Sequence, residues 1–288
     1  MEAPAATLDA RTAIGAVRLR VADLDRVQAF YERAIGLETI ERDASEVHLG
    51  AGERRLVELA GDAGAPKRPR GTTGLFHLAI LVPGRAHLAA ALRRIAEAHS
   101  GLTGASDHLV SEALYLQDPE GNGIEIYRDR PREEWPRENG EVRMATLPLN
   151  LADLLSDAEP GGPGPMAPGT RMGHVHLNVA DIPAAEAFYA GGLGFDVTVR
   201  GYPGALFVSA GGYHHHLGLN TWVGEGAPPP PPGSRGLEHY EITVPDGEEL
   251  APIARRLEAA GVEAPREGDA LRFADPFRNG ILLRAAGP

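Results

Sequence analysis

The sequence predicts an α+β fold built from four β-α-β-β-β units in two tandem pairs. Two internal repeats and one change of periodicity carry that prediction. VRLRVADLDRVQAFYERAIGLE, from Val17, returns at an offset of 158 as VHLNVADIPAAEAFYAGGLGFD, from Val175. GLFHLAILVP at Gly74 returns as GLEHYEITVP at Gly236, and DPEGNGIEI at Asp118 returns as DPFRNGILL at Asp275. Inside each repeat, apolar residues alternate with period two, shift to helical spacing, and alternate again.

The first unit opens with an alternating strand at Val17. Asp23 stands at the N-cap of an amphipathic helix, and Gly36 ends it. The second unit runs from Gly74 to Tyr127, with a helix over Arg85–Ala98. The stretch Asp129–Arg171 follows. It holds one short helical candidate, Leu149–Ala158, and then the linker-like EPGGPGPMAPG. The third unit, Met172–Trp222, repeats the first, with Asp181 as cap and Gly194 as stop. The run Pro228–Pro232 is a stiff loop before the fourth unit; it has the composition of a polyproline ligand but sits inside a repeat rather than in a tail. The fourth unit carries a helix over Glu248–Ala260 and ends in strands that include Leu282. The expected domains are residues 12–130 and 172–286, joined by a linker at 131–171.

Composition narrows the function. The 288 residues suffice for two ordinary domains, and 43% hydrophobic with 24% charged residues is the balance of a soluble globular protein. No apolar run reaches membrane-spanning length, and the N-terminus lacks the basic-then-apolar order of a signal peptide. There is no cysteine, so disulfides, thiolate metal sites and cysteine nucleophiles are excluded, and a cytoplasmic location is expected. The formal net charge is −12, from 28 basic and 40 acidic residues, which argues against a nucleic-acid partner.

Alternation also sorts the polar residues. His174, His176 and Asn178 share one face of GHVHLNV; His77 and Ala79 share one face of FHLAI; Glu125 and Tyr127 share one face of IEIY. The opposite face of each strand is apolar and suits helix packing.

With these motifs the chain resembles the vicinal oxygen chelate superfamily, and within it the type I extradiol catechol 2,3-dioxygenases. The resemblance covers nearly everything outside the linker, and DPEGNGIEI is close to the C-terminal signature of those enzymes. It implies half-open barrels, each made of two units around one metal, with ligands on the first strand of each unit and on the last strand. Carried onto this chain, those positions hold His77 and Glu125 in the second unit, His174 in the third, His239 in the fourth, and the non-ligands Ala16 and Leu282. Pairing units one with two and three with four would leave two broken sites. Pairing units two and three gives His77, His174 and Glu125, which is complete; units one and four are then silent, with His239 structural or a relic. The crossed pairing is open to one chain or to two, so a homo-oligomer stays among the expected states.

Two imidazoles and a carboxylate with open positions suit Fe(II), or less specifically Mn(II). The resemblance further implies Tyr115, ten residues before Glu125, as a substrate hydrogen-bonder and His108 as its positioning partner. YHHHLGLN resembles the segment bearing the acid–base histidine. Motif alignment selects His215, whereas strict alternation from Gly218 selects His214 and His216, which are then expected beside the substrate unless a bulge intervenes. His176 is expected to border the O2 site. Gly218 occupies the place where glyoxalase I-like members carry a fourth ligand; Glu58 stands there in the first unit. The expected activity is extradiol cleavage of a catechol, with the aromatic diol and O2 as partners. A glyoxalase-like lyase or isomerase, and an aromatic-binding resistance protein, are the rivals.

Overall fold

The computed structural model describes residues 7–138 and 141–286. Residues 1–6, where part of the signal-peptide reading falls, lie outside that range. The first unit comprises β1 (Ala13–Val21), α1 (Leu24–Phe30), β2 (Glu38–Arg42), β3 (Glu46–Ala51) and β4 (Arg54–Gly61). The second comprises β5 (Gly74–Leu81), α2 (Arg85–Glu97), β6 (Gly104–Asp107), β7 (Ser111–Gln117) and β8 (Gly123–Asp129). The connecting stretch holds the short strands β9 (Arg137–Glu138), β10 (Glu141–Val142) and β11 (Leu147–Pro148), then α3 (Leu151–Ser156). The third unit comprises β12 (Arg171–Asn178), α4 (Ile182–Glu186), β13 (Asp196–Val199), β14 (Ala205–Ser209) and β15 (Leu217–Asn220). The fourth comprises β16 (Gly236–Val244), α5 (Leu250–Ala259), β17 (Arg266–Glu267), β18 (Ala270–Ala274) and β19 (Gly280–Ala285).

The units pair as the complementary losses require, and they do so within one chain. A nine-stranded sheet runs β11-β6-β7-β8-β5-β12-β15-β14-β13, joining units two and three. An eight-stranded sheet runs β17-β18-β19-β16-β1-β4-β3-β2, joining units four and one. The fold is α+β, with two half-open barrels whose seams are the antiparallel pairs β5–β12 and β1–β16. The two seams also touch each other, β1 against β12 and β5 against β16.

Alternation separates the two faces of the nine-stranded sheet. Leu78, Ile80, Ile124, Ile126, Val175 and Leu177 enter the main apolar core, while Ala79, Ala113 and Tyr127 form a small cluster on the other side. Burying an aliphatic side chain of this size contributes about 1.5–3 kcal/mol, so the core face holds the register that presents the opposite face.

The capping expectations hold in detail. Asp23 accepts from the Arg26 amide and Asp181 from the Ala184 amide at 2.7 Å. Each helix then widens into a π-helical turn, Tyr31–Ile35 and Ala187–Leu193, rather than continuing as α-helix. The amides of both Gly36 and Leu37 bond the Tyr31 carbonyl, and Gly36 closes the turn at φ 87°, in left-handed backbone that glycine tolerates without strain.

The connecting stretch is more structured than a linker. β11 extends the sheet edge against β6. The Pro/Gly tract is fastened to α2 and its surroundings: Arg94 donates to the carbonyls of Pro163 and Gly164 as well as to Ile35, and Arg93 donates to Glu159 and Gly161. Side-chain donors from a neighbouring helix thus hold a segment whose own composition signals only the absence of helix. No helix among the described residues is long and apolar enough to cross a membrane.

Candidate active site

Three strands bring the predicted ligands together. In the parallel pair β5–β8, Ala79 stands opposite Glu125, and in the antiparallel pair β5–β12, His77 stands opposite His176. β12 slips register between Met172 and His174, where Gly173 intervenes. A Cβ on Gly173 would sit 1.8 Å from the Tyr127 hydroxyl, so glycine at this slip leaves room for the Tyr127 ring. The result is one convergent group: ligand-type atoms of His77, Glu125 and His174 lie within 4.8 Å of one another, and all three residues are buried.

The spacing fits a metal ion. His77 Nε2 is 2.9 Å and His174 Nε2 3.2 Å from the same oxygen, Glu125 Oε2. Two ligand atoms each ~2.1 Å from a shared ion and at right angles are ~3.0 Å apart. His77 Nε2 makes no hydrogen bond of acceptable alignment despite its 2.9 Å approach, whereas His174 Nε2 lies within hydrogen-bonding distance of the same oxygen. Protonation states agree. Burial pushes His174 down to about 4. Burial raises Glu125, but the two histidines beside it, His174 foremost, outweigh that and hold it well below the usual carboxylate range. Neutral imidazole and ionised carboxylate are the forms that ligate metals.

The other predicted residues separate into two groups. Tyr115, on β7, lies directly opposite Glu125. Its hydroxyl is 2.7 Å from His108 Nε2, and His108 Nδ1 is 2.7 Å from the Ala145 carbonyl. A carbonyl only accepts, so Nδ1 carries the proton, Nε2 accepts from Tyr115, and the tyrosine oxygen keeps its lone pairs for a ligand. His176 lies beside His77, with ring centroids 5.0 Å apart. His215 lines the cavity above the cluster, its ring 4.1 Å from that of His174.

His214 and His216 do not line the cavity, which corrects their expected place beside the substrate. The regular strand begins at Leu217; His216 still exchanges backbone bonds with Val208 and Val175, but its ring turns to Ser209 and Ala210 rather than to the cavity. His216 Nδ1 accepts from the Ala210 amide at 3.2 Å and lies 3.1 Å from Ser209 Oγ. His214 Nε2 is 2.8 Å from Asp129 Oδ1, while its Nδ1 is 2.8 Å from His215 Nδ1. The carboxylate fixes the proton order: His214 donates to Asp129, accepts from His215, and leaves His215 Nε2 bare. Burial, then the neighbouring histidines, push His215 well below its ordinary value, so it rests as a neutral base.

These groups line a cavity of about 460 Å³. Several of its walls were not legible in the sequence: Met144, Ala145 and Thr146 come from the connecting stretch, and Tyr202 and Trp222 from loops of the third unit. Thr146 and Tyr202 lock the two together through their hydroxyls, 2.7 Å apart. The silent half is filled differently. Ala16 and Leu282 offer no ligand, Arg272 donates to His239 Nδ1 at 3.1 Å, and Arg18 is paired with Glu46, Glu58 and Glu238. Burial, then Arg272, push His239 down to about 4.

Gly218 stands opposite His176, and a Cβ there would come within 2.9 Å of that ring. Gly218→Ala is therefore expected to destabilise the fold by about 1–3 kcal/mol, the usual cost of overpacking a closed site. Thermal unfolding of the purified variant measures it; an unchanged midpoint would show that the His176 ring moves aside freely.

A sequence profile of the Glyoxalase/Bleomycin resistance protein/Dioxygenase superfamily matches residues 13–126 and 171–283. A catechol-2,3-dioxygenase of Bacillus subtilis (strain 168) is 43% identical over 276 residues, spanning 94% of this chain and 96% of that one. A putative dioxygenase from Bacillus subtilis subsp. subtilis str. 168 superposes with a TM-score of 0.70 at 16% identity, covering 98% of this chain and 87% of the other. Glyoxalase I from Zea mays gives 0.59 at 18% identity, covering 94% and 92%. At such identities the two structures speak for the fold.

Proposed function

The chain belongs to the Glyoxalase/Bleomycin resistance protein/Dioxygenase superfamily, and within it we propose that it is an extradiol dioxygenase that opens catechol or a substituted catechol with O2. The observation that carries the reading is a buried His77–His174–Glu125 cluster at a ligand-sized cavity, with glycine at position 218 in place of a further donor. Glyoxalase I-like chemistry as implied by the superfamily uses a fourth protein ligand there; Gly218 supplies none, and the ring of His176 packs against it instead. The 43% identical relative named a catechol-2,3-dioxygenase supports the same choice.

His77, His174 and Glu125 would hold the ion, read as Fe(II) with Mn(II) as the alternative from the donor set. When bound, it supplies a charge sink and a template where the diol oxygens and O2 meet. The protein residues do the rest. His215 Nε2, bare because Asp129 and His214 order the protons behind it, takes a proton from a catechol hydroxyl. His215 then acts as the acid. Tyr115 accepts from the substrate's other hydroxyl and is aimed by His108. Phe76, Phe207 and Trp222 offer the ring an aromatic wall, and His176 borders the space left for O2.

Protein loaded anaerobically with Fe(II) is expected to take up one O2 per catechol on aeration, without added reductant, and to release a yellow ring-fission product. Turnover of the methylglyoxal hemithioacetal without O2 uptake would move the chain to the glyoxalase class. Tight catechol binding with no turnover would make it a binding protein.

A further inference from the structure

The cavity is larger and less polar than an unsubstituted catechol requires. Its 460 Å³ lies in the ~300–1,000 Å³ range of pockets that enclose drug-sized ligands, well beyond one ring with two hydroxyls. The ligand cluster, Tyr115 and His215 account for the diol end. The remaining wall is built from Phe76, Met144, Tyr202, Phe207 and Trp222. Phe76 and Trp222 contact edge-to-face at 5.3 Å, and Tyr202 and Phe207 at 5.7 Å. Among the described residues, five large apolar side chains are exposed, and two of them, Phe76 and Trp222, line this cavity. Water-exposed aromatic surface at a cavity is surface that a ligand can cover.

Charge points the same way. Among the described residues, no lysine or arginine lines the cavity, and the one acidic side chain that does, Glu125, belongs to the metal cluster. The other polar groups on the wall, such as Thr103, Ser106 and Thr146, are neutral. A carboxylate on the substrate would lie against this aromatic wall with no counter-ion beside it, inside a protein of net charge −12.

We infer that the substrate is a catechol bearing an uncharged apolar substituent, alkyl or aryl, which lies against Trp222 and Phe76, and that catechol carboxylates are rejected. The inference rests on the dioxygenase reading for the diol end and on the aromatic wall for the rest.

The test uses the full-length, Fe(II)-loaded protein with catechol, 4-phenylcatechol and 3,4-dihydroxybenzoate. Anaerobic titrations give Kd, and aerobic assays give kcat/KM. The phenyl compound should bind about ten-fold or more tightly than catechol, and the carboxylate about ten-fold or more weakly, the discrimination a shaped apolar pocket provides. Trp222→Ala should bring the phenyl-to-catechol ratio down about ten-fold in both measurements. Equal or better binding of the carboxylate, or a ratio unmoved by Trp222→Ala, overturns the inference. If none of the three rings opens, the dioxygenase reading has failed, and the anaerobic affinities still decide this one.

Discussion

Glu125→Ala is expected to bring metal content from about one ion per chain to below about a tenth, with ring cleavage lost alongside. The reason is geometric. Both histidines approach a single carboxylate oxygen, at 2.9 and 3.2 Å, so that oxygen is the common edge of the cluster. Without it, two buried imidazoles remain, and two nitrogen donors do not make a facial site. His239→Ala is the matched control: it lies in the other sheet, beside Arg272, and should leave metal content unchanged. Metal analysis of the two purified variants decides the matter. Ion loss in the His239 variant with retention in the Glu125 variant would place the metal in the wrong half of the fold for everything proposed above.

His215→Phe is expected to keep its ion and lose about 10²–10⁴-fold in kcat, the contribution of a positioned acid–base group. Phenylalanine has nearly the shape of imidazole and would pack against the Phe207 ring that His215 now contacts at 4.9 Å. The loss should therefore report proton transfer rather than collapse of the wall. An unaltered kcat in a metal-replete variant would remove His215 from the mechanism. His214→Ala should give a smaller fall, since it removes the group that orders the proton on His215 and leaves the base itself in place.

The three ligand candidates could be read from sequence because the family resemblance marks their places in the repeated strands, and strand alternation, a local rule, puts each on the face away from the apolar one. The pairing of units two and three was legible for a different reason: Ala16 and Leu282 are informative only when the four units are compared. What stayed hidden depends on contacts that no local rule encodes. His214 and His216 were misplaced because side-chain contacts, with Asp129 for one and with Ser209 and Ala210 for the other, take their rings away from the cavity. Asp129 escaped notice because it meets His214 across 85 residues. Met144 and Thr146 lie in a stretch whose composition says linker, and they become cavity wall only through Tyr202 and the β11–β6 edge. The Pro/Gly tract that follows reads as flexible, yet its carbonyls are held by two arginines of α2.

The crossed pairing also sets a timetable for synthesis. All strands of the nine-stranded sheet are translated by Asn220, whereas the first unit's β1 pairs with Gly236–Val244 near the far end of the chain. At ~5–20 residues per second, residues 221–285 take about 3–13 s to emerge. During that interval the metal-binding half has every strand it needs, while one edge of β1 waits unpaired. An unpaired edge is a template for another chain. The catalytically silent half is thus the last to close in each new molecule, and the part most exposed to misassembly before it does.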